Sequence, residues 1–515
     1  MTRPTAQPNF AISRCLFLRA MGLVYLAAFG SLAVQVVGLA GRNGILPAAT
    51  FLEAAKAHIG AAAYWRAPTL CWITGAGDPI LHGFCVAGVV LSVLLLAGLA
   101  PLPCLAGAWV LYLSLATVCR TFLNFQWDAL LLEAGFLALF MAPWRLRCRL
   151  PCAAGPTRLA RWLVAWLLFR LMFSSGVVKL TSGDPTWWNL RALDVHYQTQ
   201  PIPTWTAWYV HQMPGWFQSC CVAIMFFIEL VVPFFIFAPP RLRRIAAAIL
   251  IGFQVIIAAT GNYAFFNLLT IALCLPLLDD AAWPRLLRSR LPVPAAPPVT
   301  SSVAASAALP VLVLNPAPSR RRDRVVLWAA APCAALLVIL STADMTARFR
   351  WQLPWPRPLL LIADAISPFR IVNAYGLFAM MTTQRLEIVV EGSRDGVSWL
   401  PYEFKWKPGD RDRRPVFVAP HQPRLDWQMW FAALGSYRTQ PWFQNFLFRL
   451  LQGAPEVTAL LARNPFPDAP PRYIRSTAYD YRFTDMRMRR ATGAWWQRTE
   501  TGPYSPPQSL PEQRP

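Results

Sequence analysis

Residues 169–217 read FRLMFSSGVVKLTSGDPTWWNLRALDVHYQTQPIPTWTAWYVHQMPGWF. A strongly apolar helix carries one lysine, Lys179, near its end and then opens into a loop crowded with aromatics, Asp194, His196 and Gln198. Charge at the centre of a membrane helix costs roughly 2.5–3.5 kcal/mol on insertion scales, so a residue kept there is a functional candidate by default.

Outward from this stretch the composition agrees. Of 515 residues 56% are hydrophobic and 14% charged, with a mean hydropathy of +0.38, whereas a soluble chain carries about 25% charged residues. Apolar runs long enough to cross a hydrocarbon core of about 30 Å recur over the first two thirds. The fold class is an α-helical polytopic membrane protein. We read nine spans, at 16–38, 80–100, 104–121, 125–143, 160–182, 217–238, 244–260, 262–279 and 325–342. The first follows basic residues without an A-x-A site and is expected to be an uncleaved signal-anchor.

The formal charge of +23 is not that of a nucleic-acid binder, since no base-reading module accompanies it. With the N-terminus (Arg3, Arg14, Arg19) in the cytoplasm, the basic residues Arg145, Arg147, Arg149, Arg158, Arg161, Arg241, Arg243, Arg244, Arg285, Arg288 and Arg290 fall on that side, as the positive-inside rule requires. Segment 183–216, on the opposite side, holds Arg191 as its only basic residue. The chain therefore divides into a membrane domain (1–279), a Pro/Ala/Ser-rich disordered cytoplasmic linker (280–324), a last span (325–342) and an extracytoplasmic C-terminal domain (343–515). In that α+β domain, 384–390, 397–406, 414–418 and 479–483 have strand composition around a turn at 393–396, and 426–434 and 441–451 look helical.

Counting about 1.5 Å per residue places Asp128 and Lys179 at similar depth near the outer ends of their spans, with Asn124, Asn262 and Asn267 close by and Glu133, Arg170 and Glu229 deeper. These groups either neutralise one another and fix helix register, or line a water-filled pocket closed by the 183–216 loop. In the second case Lys179, with Asp128, is the candidate base, because desolvation lowers a lysine pKa. The loop's Asp194, His196, Tyr197, Gln198, Gln200, Trp205 and His211 are candidate functional or client-binding residues. On the C-terminal domain, His421, Arg424, Asp426 and Trp427 form either an interaction surface or a packed amphipathic helix. Trp187, Trp188, Trp205, Trp208 and Trp216 suit an interfacial belt.

Eleven cysteines lie mostly in or beside apolar runs, where they act as small hydrophobes, and none follows Cys333. Cys148/Cys152 and Cys220/Cys221 lack the spaced partners of a zinc site. No Walker loop, Rossmann glycine pattern, G-x-S-x-G elbow or H-E-x-x-H is present. Neither a metal nor a cofactor is expected.

Four stretches together resemble the lipase maturation factor family: 169–217, with HYQTQPIP; 261–275 (GNYAFFNLLTIALCL); 371–410, with NAYGLF and EGSRDGVSW; and 421–435, with HQPRLDWQMW. The closing GAWWQRTETGPYSPPQSL, 493–510, also fits. The resemblance implies a membrane-resident chaperone that helps exported lipases reach their assembled state by binding rather than catalysis, with its C-terminal domain facing the endoplasmic reticulum lumen in animals. The expected partners are membrane lipids and an exported client protein. This chain ends without a KDEL-type signal and is similar to a bacterial member, for which the inner membrane and periplasm are expected. Residues 173–188 are also similar to the membrane domain of vitamin K-dependent carboxylases, in which a lysine at the matching place acts as base on a quinone. The spacing from Lys179 to the tryptophan is longer here. The alternative function is thus a membrane-embedded reaction on a lipid or quinone-like substrate. Nothing in the residues fixes an oligomeric state.

Overall fold

Proline and glycine set the ends of the apolar helices. In the computed structural model, which describes residues 9–148, 155–289, 320–349 and 354–511, α1 spans Ala11–Ala33 and is followed by a short surface helix, α2 (Ala48–Ile59). Next come α3 (Asp78–Ala97), with proline in its first turn and Gly98 at φ +79° beyond its end, and α4 (Pro101–Val118). α5 (Gln126–Met141) and α6 (Arg158–Thr181, capped by Thr157) follow. Two short helices, α7 (Ala192–Thr199) and α8 (Trp205–His211), fill the loop before α9 (Gly215–Leu230), α10 (Pro240–Thr260) and α11 (Phe266–Cys274). α12 (Arg320–Arg348) leads to α13 (Arg357–Ile366).

Among the described residues, six helices are long and apolar enough to cross a membrane: α1, α3, α4, α6, residues 215–237 beginning with α9, and α10. α6 is the most buried, at 78% of its apolar window, and so forms the centre of the bundle. The other three runs expected to span are shorter. α5 has 16 residues, and the apolar parts around α11 and in α12 are 266–277 and 331–347. At 1.5 Å per residue they measure roughly 24, 18 and 26 Å, under a core of about 30 Å.

The start of the expected linker is not free chain. Asp280 accepts the Ala11 and Ile12 amides at 3.2 and 2.9 Å, capping α1, and neighbouring Asp279 meets Arg244 at 2.6 Å. Its last residues, 320–324, already belong to α12. The rest, 290–319, lies outside the described residues, as do Arg3, Arg149 and Cys152.

The C-terminal region builds a four-stranded antiparallel sheet in the order β2-β1-β5-β6. Its strands are β1 (Arg385–Ser393), β2 (Leu400–Pro401), β5 (Tyr473–Phe483) and β6 (Trp496–Gln508). β3 (Glu403–Phe404) and β4 (Leu461–Arg463) form a separate pair. Two helices accompany the sheet, α14 (Arg424–Ala433) and α15 (Pro441–Leu451). α15 buries Trp442, Phe443, Phe446, Leu447 and Leu450, an apolar stripe at helical spacing.

Two strand expectations are corrected. Residues 397–406 give only the short β2 and β3, and 414–418 contain no strand. The second segment runs along the membrane half instead, where one side chain satisfies its backbone. Asn262 donates to the Val416 carbonyl at 2.8 Å and accepts the Val418 and Ala419 amides at 2.7 and 3.1 Å. Orphaned buried amides cost about 1–3 kcal/mol each. Asn262→Ala is therefore expected to destabilise by at least ~2 kcal/mol, checked by thermal unfolding in detergent and by faster amide exchange at 416–419.

Candidate functional site

The polar groups inside the bundle resolve into buried clusters, and most reach across to the C-terminal region. Asp128 sits in the first turn of α5, where its carboxylate accepts the Phe125 amide at 3.2 Å. It is then gripped by Arg424 from α14 through two parallel bonds of 2.6 and 2.8 Å. Tyr112 donates to the same carboxylate at 2.5 Å, and the arginine donates at 3.0 Å to the Phe122 carbonyl. Side-chain exposure is 1% for Arg424 and 0% for Asp128. Asp128 and Lys179, placed at similar depth by the sequence, do not pair.

Lys179 pairs with Glu229 instead, its ammonium 2.6 Å from both carboxylate oxygens. The Trp187 ring centroid lies 5.4 Å from the same ammonium. One turn earlier, a Cβ on Gly176 would come within 2.7 Å of Leu230, so the glycine lets α6 and α9 approach closely enough for this contact. Depth counting separated Lys179 from Glu229 because it assumed that all spans end at one level.

Glu133 and Arg170 form a third buried pair. Segment 373–375 closes over it: the Asn373 amide and the Tyr375 hydroxyl donate to Glu133 at 3.0 and 2.7 Å, and Arg170 donates to the Asn373 carbonyl at 3.1 Å. Of the asparagines singled out by depth, Asn267 bonds Gln254 at 2.8 Å, Asn262 holds the 416–419 strip, and Asn124 is exposed.

Loop 183–216 folds between the two halves. His196 meets the Tyr263 hydroxyl at 3.0 Å, and that hydroxyl donates to Gln200 at 2.9 Å. A hydroxyl has one proton, so His196 is the donor in the first contact. The Phe378 ring packs edge-on against both His196 and Tyr263. Gln198 accepts the Phe483 amide at 3.2 Å, His211 packs on Phe483, and Trp205 packs on Phe417. Tyr197 is buried, and Asp194 is paired with Arg191 within the loop. Trp187 and Trp208 are buried rather than belted, whereas Trp188 and Trp216 are 63% and 70% exposed.

Arg385 escaped the sequence reading. It is fully buried at the start of β1 and donates to the Gln198, Gln200 and Pro201 carbonyls, fixing the loop that follows α7. Glu387 balances it at 2.6 Å and also holds Lys407 at 2.7 Å. An arginine and a glutamate two apart on one face of a strand that otherwise carries Ile388 and Val390 was the available signal. On the C-terminal side, His421 bonds Ser31 at 3.0 Å, and Asp426 accepts the Trp406 and Lys407 amides at 2.7 and 2.9 Å. Trp427 packs edge-on against Trp127, with ring centroids 4.7 Å apart. Arg424, Asp426 and Trp427 are thus buried in the protein interior, and His421 is half-buried. Among the described residues no three His, Cys, Asp or Glu side chains converge as a metal site needs.

Comparison with known proteins follows the same division into halves. Residues 12–285 match the lipase maturation factor transmembrane domain, and residues 371–506 match the lipase maturation factor C-terminal domain. The chain is 38% identical to lipase maturation factor 2 of Gallus gallus, covering 96% of this chain and 81% of that protein. It is 36% identical to lipase maturation factor 2 of Homo sapiens (97% and 83% covered) and 34% identical to lipase maturation factor 1 of Bos taurus (98% and 90%). No solved structure matches it.

Breaking one partner of a buried ion pair costs about 3–5 kcal/mol, while an apolar replacement of the whole cluster is often tolerated. Asp128→Asn should therefore lower thermal stability and membrane abundance sharply, and Asp128→Leu with Tyr112→Phe and Arg424→Met should recover most of both. Burial, followed by the Lys179 charge, pulls His196 down to about 4; burial, followed by Arg424 and Lys405, does the same to His421. Free histidine titrates near 6.5, so the unfolded chain takes up more protons between about pH 6.5 and 4. Stability present above pH 6.5 should fall through that window in thermal scans, and His421→Gln should flatten the fall.

Proposed function

The chain belongs to the lipase maturation factor family, and on that premise we propose that it is a membrane-anchored factor assisting the folding and assembly of exported lipases or similar secreted clients by binding rather than by catalysis. The observation that carries the reading is the state of Lys179. A lysine serving as a base must hold a free lone pair that accepts a proton from the substrate, but this one donates to both oxygens of Glu229 in a buried pair. The other membrane charges, Asp128, Glu133 and Arg170, are committed to holding the C-terminal region on the bundle.

Binding capacity lies at the surface of the 183–216 loop. Trp188, Tyr209, Met213 and Trp216 are exposed there, a set of apolar groups able to shield client surface and release it. Asp194, His196, Tyr197, Gln198, Gln200, Trp205 and His211 would set the loop's shape and present those groups. In this proposal nine spans place the N-terminus in the cytoplasm, because the arginines gather in the loops assigned there. The C-terminal domain (343–515) then faces the periplasm of a bacterium, or the endoplasmic reticulum lumen of a eukaryote. Domain 1–279 and the 325–342 span anchor it on either side of the linker.

The test is co-expression with an exported lipase in a strain lacking the endogenous factor. Secreted lipase activity is measured per unit of this protein in the membrane. Replacing the whole pair, Lys179→Met with Glu229→Met, is expected to keep at least half the activity, and Trp188→Ala with Trp216→Ala to lower it several-fold. Complete loss with the first pair at normal abundance would refute the binding reading and direct attention to a membrane-embedded reaction.

A further inference from the structure

Each fully buried arginine described above has a carboxylate partner: Arg170 has Glu133, Arg385 has Glu387 and Arg424 has Asp128. Arg370 does not. It is half-buried, and its side chain's one hydrogen bond among the described residues runs from Nη1 to the Leu123 carbonyl at 3.0 Å. Its side chain lines an open cavity of about 380 Å³ together with Phe51, Arg66, Thr117, Ser367 and Pro368. Arg120 places its guanidinium 5.1 Å from the centre of the ring of Phe51, one of the lining residues. Asp364 meets Arg66 at 2.6 Å in an exposed pair, and Asp128, the acid whose charge acts on Arg370, is already held by Arg424. Among the described residues positive charge thus exceeds negative around the cavity, and a cation drawn out of water without a counter-charge of its own is unfavourable.

The position of the cavity says what can supply that charge. Thr117 ends α4, and its hydroxyl donates to the Pro68 carbonyl at 3.0 Å, fastening the segment between α1 and α3 to the end of a span. Ser367 and Arg370 follow directly on α13, the next helix after the 331–347 apolar stretch. Trp65 donates to the Ala365 carbonyl at 2.7 Å and clamps α13 beside the opening. α13 turns Leu360, Leu361 and Ile362 outward, and Trp65 and Tyr64 are exposed next to it. An amphipathic helix and aromatics at the end of the spans mark the bilayer interface, the depth of lipid phosphates.

We propose that this cavity is a binding site for a phosphate group, supplied by an anionic phospholipid. Arg370 makes charge-assisted bonds to the phosphate oxygens, Arg120 and Arg66 add positive field, and the Thr117 and Ser367 hydroxyls complete the polar wall. The acyl chains lie along the outward face of α13. The lipid then joins the segment before α3 to the chain leading into the C-terminal sheet.

The test uses the full chain in neutral detergent, titrated with dioctanoyl phosphatidylglycerol, dioctanoylglycerol or inorganic phosphate while thermal unfolding is followed. Phosphatidylglycerol is expected to raise Tm saturably and dioctanoylglycerol to leave it unchanged. Losing a charge-assisted bond of about 1.5–3 kcal/mol makes Arg370→Gln bind about tenfold more weakly or worse. Asp364→Asn, which breaks the Arg66 ion pair but keeps all three arginines, should bind at least as tightly as wild type. Should Arg370→Gln not fold, Arg66→Gln with Arg120→Gln, both at exposed positions, carries the same expectation. Protection by inorganic phosphate at the same concentration as the lipid would keep the phosphate site and assign it a soluble source. Equal protection by dioctanoylglycerol, or unchanged affinity in folded arginine variants, overturns the proposal.

Discussion

Everything about the relation of the two halves depends on one buried ion pair. Arg424 and Asp128 are both sealed from solvent and joined by two parallel bonds. Neither tolerates low dielectric alone, so α14 and the start of α5 must be together or both be wet. That requirement turns the C-terminal region from a tethered globule into the cap of the bundle. The Glu133–Arg170 cluster under Asn373 and Tyr375, and the Asn262 bonds to 416–419, repeat the logic with weaker groups. In a bilayer, where water supplies no partners, one chain end must supply them to the other.

This explains which parts of the molecule were legible. Runs of apolar residues announce helices, and α1, α3, α4, α6 and α10 are where they were read, with ends shifted by a few residues. Strand β1 and helices α14 and α15 were equally open, because their periodicity is local. Partnerships were not. Asp128, Glu133, Arg170, Lys179 and Glu229 were recognisable as out of place in an apolar run, yet depth alone set Asp128 level with Lys179. Both true partners lie on elements whose level no sequence position reveals. β6 was hidden by Pro503, Pro506 and Pro507, which suit a sheet edge but erase the strand pattern. Segment 414–418 misled in the opposite sense: its residues look like strand, and its hydrogen bonds go to a side chain.

The same point applies to function. Polar residues in a membrane protein invite a catalytic reading, and here most of them are joints. Arg385, absent from the sequence-level candidates, also shapes the 183–216 loop, since the backbone carbonyls of Gln198, Gln200 and Pro201 all point at it. The groups left over, exposed tryptophans and an arginine without a carboxylate, are the ones with capacity to engage something outside the chain.

The Asp128–Arg424 joint also has a dimension in time. A ribosome makes Asp128 296 residues before Arg424 and Glu133 240 residues before Asn373. At about 5–20 residues per second, the interval for Asp128 is roughly 15–60 s. Throughout it α5 is a short helix with an acid near its tip, better kept at the water's edge than sunk in lipid. The bundle therefore matures last to first: its final seating waits on the chain's closing third, and a message cut short before codon 424 leaves the membrane half unfinished as well.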